Sequence, residues 1–333
     1  MMHIPILKFV AFVCLVALLT DNRVAQGQDK PSEVTVATVG NQQISLAQVE
    51  NLMRVSLGDR KLEGDAKEVL AAASTRQLVN QLLVVEYLKD TKHGLSEDEV
   101  NLQIERLTGE LAKTEQSLNE FLRERNQTIE GLRQQIRWQF GWAAYLKHHL
   151  TKENMSKFFD KHKQDFDGTQ FRIAHIILAV APDDDERIQK LDAASKKASQ
   201  IKAELKSSEI TWKQAVEKYS DSASKGNEGE VGWIERLKPM PEAFSKTVFK
   251  MSVGDVSEPI QTRFGVHLVR VLEIKAGEKR LAQVRKQVEK AATKFVFEWI
   301  VKEQANKTEV RYTGKAPYFD PQSGKLVRPG KNS

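Results

Sequence analysis

Two hydrophobic periods divide this chain. Short runs rich in β-branched residues mark strands, and longer stretches with apolar positions every three or four residues mark helices. From Val34, "VTVATVGNQQIS" gives two strand pieces about Gly40 and Asn41, a pair that tolerates the positive φ of a tight turn. Ser45 and Gln48 then have the spacing of a capping box, in which the serine oxygen and the glutamine amide satisfy free backbone N–H groups. The same signal recurs at Ser74 with Gln77, Ser96 with Glu99 and Ser117 with Glu120. An all-helical region is expected, ending in a long helix pair from Thr128 to about Phe166. There Leu132, Ile136, Ala143 and Leu146 form one apolar stripe and Trp138, Trp142 and Tyr145 a second. A helix apolar on two faces needs two partners, or one partner and a client, so these aromatics read either as core or as the wall of a peptide groove.

The pattern changes at Phe171. "FRIAHIIL" is strand-like and carries His175, and "IQTRFGVHLVRVLEI" is a second such run carrying His267. Between them lie two helix faces, Leu191, Ala194, Ala198, Ile201 and Leu205, then Trp212, Val216 and Tyr219, followed by a glycine-containing loop. After Ala276 a helix from about Lys279 to Ala305 presents Leu281, Val284, Val288, Ala291 and Phe295, and "TEVRY" reads as a final strand pairing with Val34 to Val39. The Pro-, Gly- and Lys-rich stretch from Gly314 reads as a disordered tail. The expected divisions are 34–168, 171–276, 279–312 and 314–333.

Composition narrows the function classes. The 51 Lys and Arg against 45 Asp and Glu leave +6, spread in alternating signs along helical faces, which argues against a nucleic-acid partner. Ile4 to Leu19 is nearly all apolar but short for a membrane span, and Ala25 and Gly27 follow at signal-peptidase spacing. Residues 1–27 are therefore expected to be a secretory signal, with an uncleaved anchor as the alternative and the only expected membrane contact. That places the protein in the periplasm or another extracytoplasmic space. The single cysteine, Cys14, lies inside this segment, so a mature chain has no thiol chemistry. His148, His149 and His162 lack an acidic residue to complete a ligand set on one helix face, and no metal is expected there. HExxH, P-loop, dinucleotide and CxxC motifs are missing from the sequence, so no cofactor is expected.

One set of motifs is more specific. "HIIL" with His175, "YSDS" from Tyr219, "EGEVGW" ending at Trp233, Met240 followed by Phe244, and "TRFGVH" from Thr262 to His267 occur in order over about a hundred residues. This stretch resembles the parvulin family of peptidyl-prolyl cis-trans isomerases. With helical flanks on both sides, the whole is similar to secreted chaperone-isomerases of the SurA and PrsA type. The implied fold is α+β: a parvulin domain, a small antiparallel sheet with surrounding helices, inserted in a mostly helical chaperone domain. The implied clients are unfolded or proline-containing polypeptides.

Rotation about an X–Pro bond faces a barrier of about 18–20 kcal/mol from amide resonance, and no covalent bond need break. A catalyst must hold the proline ring in an apolar pocket, withdraw the carbonyl from water and favour the twisted amide. The resemblance assigns Val231, Met240, Phe244 and Phe264 to substrate binding, and His175, Ser222, Thr262 and His267 to the catalytic group, with the Thr262 hydroxyl fixing a tautomer. On residue type alone a histidine on an apolar strand is more often a satisfied core residue, and the resemblance also allows the pair to be an organising hydrogen-bond unit. The chain departs from the family at Ser222, where Cys or Asp is usual, at Glu228, where glycine is usual, at Glu230 and Val231, and by one extra residue between Gly232 and Met240. Two functions follow: an isomerase and folding chaperone, or a holding chaperone with a catalytically weak or inactive parvulin domain used for peptide binding.

Overall fold

The computed structural model describes residues 34–181, 186–236 and 240–330. The expected signal segment and Cys14 lie outside the described residues. The chain divides into two compact units, one built from Met1–Thr151 with Thr293–Ser333, the other from Lys152–Ala292. No helix among the described residues is long and apolar enough to cross a membrane.

The first unit starts with the hairpin β1 (Thr35–Val39) and β2 (Gln42–Ser45), turned at Gly40 with φ +54°. Five helices follow: α1 (Leu46–Leu57), α2 (Gly64–Asp90), α3 (Glu97–Ala112), α4 (Leu118–Glu124) and α5 (Ile129–His149). Capping boxes at Ser45, Ser96 and Ser117 start α1, α3 and α4, each with the serine hydroxyl and the third-residue side chain both engaged. Ser74 is different. It is buried inside α2, because the Leu70, Ala71 and Ala72 turn before it is already helical, and the helix begins at Gly64 without a side-chain cap. Val36, Val39, Ile44, Val49, Val79 and Leu82 close one core, and Val100, Leu107, Phe121, Leu132 and Ile136 a second.

The second unit opens with α6 (Lys152–Lys161) and α7 (Lys163–Phe166) and then forms a four-stranded antiparallel sheet. Its strands are β3 (Gln170–Ala179), β4 (Glu230–Glu235), β5 (Ile260–Thr262) and β6 (Gly265–Lys275), in the order β4-β3-β6-β5. Helices α8 (Arg187–Lys206), α9 (Trp212–Tyr219) and α10 (Glu242–Val248) flank it. One sheet face packs Ala174, Ile176, Val266 and Leu268 on Ala198, Ile201, Trp212 and Val216 of α8 and α9. The other packs Phe171, Ile173, Val269 and Val271 on Phe244 and Val248 of α10. The sequence reads "EGEVGW" as a loop and "IQTRFGVHLVRVLEI" as one run. In the structure the first holds edge strand β4, and the second is the hairpin β5–β6, broken where Gly265 brings its backbone against Leu178 and Val180 too closely for any Cβ.

The two passages of chain at the root of this unit are tied to each other. The buried Asp167 carboxylate accepts from both the amide (2.8 Å) and the hydroxyl (2.6 Å) of Thr169, whose hydroxyl oxygen accepts from Gly277 N–H at 3.1 Å. Arg236 further binds Asp165 at 3.1 Å and grips Glu242 with two bonds of 2.8 Å. These bonds tie α7 and the turn after it to the sheet.

Helix α11 (Leu281–Ala305) buries Val284, Val288, Ala292 and Ile300, a stripe turned away from the expected Ala291 and Phe295; Phe295 is exposed. Strand β7 (Val310–Tyr312) pairs antiparallel with β1, Ala37 facing Tyr312. The expected disordered tail from Gly314 is instead ordered as far as it is described: β8 (Tyr318–Phe319) pairs with β9 (Leu326–Val327). Its anchors are a Tyr312–Tyr318 stack at 4.4 Å, Arg76 over Phe319 and Arg328 on Glu68 and Asp65. Composition alone does not show such partners.

Candidate functional site

His175 and His267 come from neighbouring central strands. In the β3–β6 register His175 faces Val269 and Ile177 faces His267, so the two histidines are diagonal neighbours on the α10 face of the sheet. Their rings stand 5.5 Å apart, tilted by 40°. Each is fixed at Nε2 by a hydroxyl 2.8 Å away, His175 by Ser222 and His267 by Thr262. Both Nδ1 atoms are buried without a hydrogen-bond partner. Since each hydroxyl can donate or accept, Ser222 and Thr262 set which ring nitrogen carries the proton.

The site carries no charge of its own. Burial lowers the pKa of His175, and burial together with the neighbouring His175 lowers that of His267 to about 4. Near neutral pH both imidazoles are uncharged. Ser222 and His175 stand at the distance of a nucleophile and its base, but no group holds the buried Nδ1 of either ring, so the pair supplies hydrogen bonds without an oriented general base, which suits a bond rotation better than a bond cleavage.

The loop that delivers Ser222 is locked to β3. Asp221 N–H donates to the Ile177 carbonyl (2.8 Å), the Asp221 carboxylate accepts from Ala179 N–H (2.9 Å), and Ser220 Oγ accepts from Ile177 N–H (3.3 Å). Asp221 is therefore a clamp, and its carboxylate is turned away from the place where Ser222 stands. Ser222 also caps the short 3₁₀ turn Ala223–Asn227, accepting from Ser224 N–H at 3.1 Å and lying 2.8 Å from the Ser224 hydroxyl. Ser224 is a neighbour that motif reading passed over; its signal, a serine two residues past the first, is the ordinary spacing of such a turn.

Backbone geometry explains the glycines of this loop. At Gly229, φ +78°, a Cβ would collide with the His175 carbonyl, while Gly229 O accepts from His175 N–H at 2.8 Å. Glu228 takes the left-handed conformation without being glycine, φ +50°, held by Trp212 Nε1 donating to its carbonyl at 3.0 Å. Val231 is the extra residue of a bulge in β4, between partners Glu230 of Ala174 and Gly232 of Ile173. A bulge re-aims its side chain, and Val231 is 37% exposed.

The apolar candidates differ in access. Phe244 is 1% exposed and meets the His267 ring edge-on at 5.5 Å, so it walls the histidine from the core side. Met240 is half-buried against the same core. Phe264, at the β5–β6 turn, is 47% exposed under the Arg263 guanidinium. Val231 and Phe264 are open to a ligand and Met240 is partly so, whereas Phe244 is closed off in the core.

Residues 175–273 match a family profile described as "Rotamase: PPIC-type PPIASE domain", and the match opens at the first histidine. The foldase protein PrsA of Bacillus subtilis (strain 168) is 24% identical over 193 residues, covering 57% of this chain and 58% of that protein. A parvulin-like PPIase of Rickettsia felis (strain ATCC VR-1525 / URRWXCal2) is 30% identical over 157 residues, 46% of this chain and 50% of that one. Chaperone SurA of Hahella chejuensis (strain KCTC 2396) is 22% identical over 281 residues, 81% of this chain and 63% of the relative. The chain spans about half to three-fifths of the length of these curated relatives. Residues 175–273 form a PPIC-type rotamase domain of the parvulin kind, carried in an α+β chain similar to the PrsA and SurA proteins.

Proposed function

We propose that this protein is a peptidyl-prolyl cis-trans isomerase and folding chaperone for unfolded polypeptides outside the cytoplasm. The observation that carries the reading is the facing pair His175 and His267, each held at Nε2 by a hydroxyl at 2.8 Å, above the ring of Phe244. Val231, Met240 and Phe264 receive the proline ring and its neighbours. The carbonyl before proline then leaves water for a neutral, hydrogen-bonding floor, where the planar, charge-separated amide loses stabilisation relative to the twisted one. Export is supported by the apolar segment from Ile4 to Leu19 and the small residues after it.

A second reading has its own support. Ser222 brings no negative charge to the twisting amide, and its hydroxyl is already engaged by His175 and Ser224. On this reading the domain holds proline-containing chain with little turnover. The test is the slow, proline-limited refolding phase of an unfolded client mixed with catalytic amounts of the protein. Acceleration supports the isomerase; suppression of aggregation with the slow phase unchanged supports the holding chaperone.

A further inference from the structure

Strand β5 is the weakest element of the site. It is three residues long, lies at the edge of the sheet and pairs only with β6 among the described residues, yet its last residue, Thr262, holds His267. A strand so short, paired on one side, opens readily at its end. A hydroxyl that drifts by even one ångström no longer bonds the ring.

The turn after β5 is pinned from outside. At the end of β3, Val180 N–H donates to the Phe264 carbonyl at 3.1 Å, and Gly265 lets the two backbones meet. The two carbonyls before that one go to a single side chain. Arg187, the first residue of α8, donates through Nη2 to the carbonyls of Thr262 and Arg263, both at 3.2 Å. Through Nη1 it donates to the carbonyls of Val180, at 3.0 Å, and Ala181. One guanidinium thus joins four carbonyls, two from the end of β3 and two from the β5–β6 turn. A planar fork with five N–H donors spans such a set, whereas the compact ammonium of a lysine serves one pair at a time. Arg187 belongs to none of the motifs that mark the site.

We propose that Arg187 is a positioning residue for the rotamase reaction, pinning the β5–β6 turn to the end of β3 so that the Thr262 hydroxyl stays on Nε2 of His267. The Asp221 clamp does the same for Ser222 on the other histidine. Arg187 touches no substrate and acts only through the backbone of the turn. Without the fork β5 still pairs with β6, but its last residue moves and the tautomer of His267 is no longer fixed. The proposal rests on the isomerase reading of the site.

The test uses the full chain with Arg187→Lys and Arg187→Gln, beside Thr262→Val and Ile201→Val. Exchange of a short X–Pro peptide at saturation should slow roughly three- to tenfold in both Arg187 variants. Combined in one chain, Arg187→Gln and Thr262→Val should not multiply their losses: the rate should stay within about twofold of Thr262→Val alone, because both changes release one contact. Ile201→Val loosens α8 on the opposite face of the sheet and should leave the rate within about twofold of wild type. The second readout is the ring-nitrogen NMR signals of the histidines near neutral pH, which separate the two neutral tautomers. Arg187→Gln and Thr262→Val should move those of His267 alike and leave those of His175 in place. Wild-type rates and His267 signals in the Arg187 variants, or losses that multiply in the double variant, would overturn the proposal. So would equal disturbance of both histidines, the mark of a general loosening. Exchange at the uncatalysed rate with wild type would end the isomerase reading and with it the role in the reaction, and the ring signals alone would then show whether Arg187 governs the Thr262 contact.

Discussion

Ser222 Oγ lies 2.8 Å from Nε2 of His175, and Thr262 Oγ1 lies at the same distance from Nε2 of His267. The two histidines are thus held in matching ways, one from the loop that precedes β4 and one from edge strand β5. Thr262 Oγ1 also accepts from Phe264 N–H at 3.1 Å and so shapes the hairpin turn. Thr262→Val keeps the volume and removes the hydroxyl. It should cost about 1 kcal/mol of stability and lower the exchange rate roughly tenfold, with proline-peptide affinity within about twofold of wild type. Loss of affinity with an unchanged rate would contradict this assignment.

The histidine pair also sets a pH dependence. His267 has its pKa lowered to about 4, from an ordinary value of 6.5, by burial first and by His175 second. Below pH 6.5 the unfolded chain takes up a proton that the folded chain refuses, so stability is full above that pH and falls as pH drops toward 4. The loss amounts to at most about 3 kcal/mol. Urea unfolding at pH 7.5 and pH 4.5 measures it, and His267→Gln should flatten the difference. An equally steep fall in the variant would place the cause elsewhere.

Glu228 occupies left-handed backbone that costs a non-glycine residue about 1 kcal/mol. Its exposed ion pair with Lys213 at 3.4 Å contributes little in return. Glu228→Gly should raise stability by about 0.5–1 kcal/mol and leave peptide binding intact. A lower melting temperature would mean that the side chain does more than its contacts indicate.

Access separates the two apolar residues that motif reading joins. Phe244→Ala removes a fully buried ring and should cost about 3–5 kcal/mol, so any loss of activity it causes is mixed with loss of fold. Met240 is half-buried, and Met240→Ala should cost only about 1–2 kcal/mol while weakening proline-peptide binding several-fold. Isothermal titration beside thermal unfolding checks both. Unchanged binding by Met240→Ala would remove it from the pocket.

Some of this was legible from the residues alone and some was not, for physical reasons. Ser45, Ser96 and Ser117 announce helix starts because a cap is a local interaction between residues three apart. Ser74 with Gln77 carries the same letters inside α2, where continuing apolar packing outweighs the local signal. Strand β4 was hidden because its bulge at Val231 breaks the alternation that marks a strand, and pairing with β3 alone defines it. The order of the tail is not legible in its composition because two of its anchors, Arg76 and Glu68, are more than two hundred residues away in sequence. Within the site, the two histidines and Ser222 were visible as motif letters. The Asp221 clamp on Ala179 and the burial of Phe244 are properties of the folded sheet.

The central claim is that the neutral histidine pair with its two hydroxyls accelerates X–Pro rotation even though Ser222 brings no charge. The most direct measurement is the cis-to-trans exchange rate of a short X–Pro peptide with wild type and with Ser222→Asp at equal, substoichiometric concentration. The account predicts acceleration by wild type and a further increase by Ser222→Asp, whose carboxylate would face both His175 and the twisting amide. Exchange at the uncatalysed rate with wild type, while the same peptide binds, would contradict it and leave the domain as a holder of peptide.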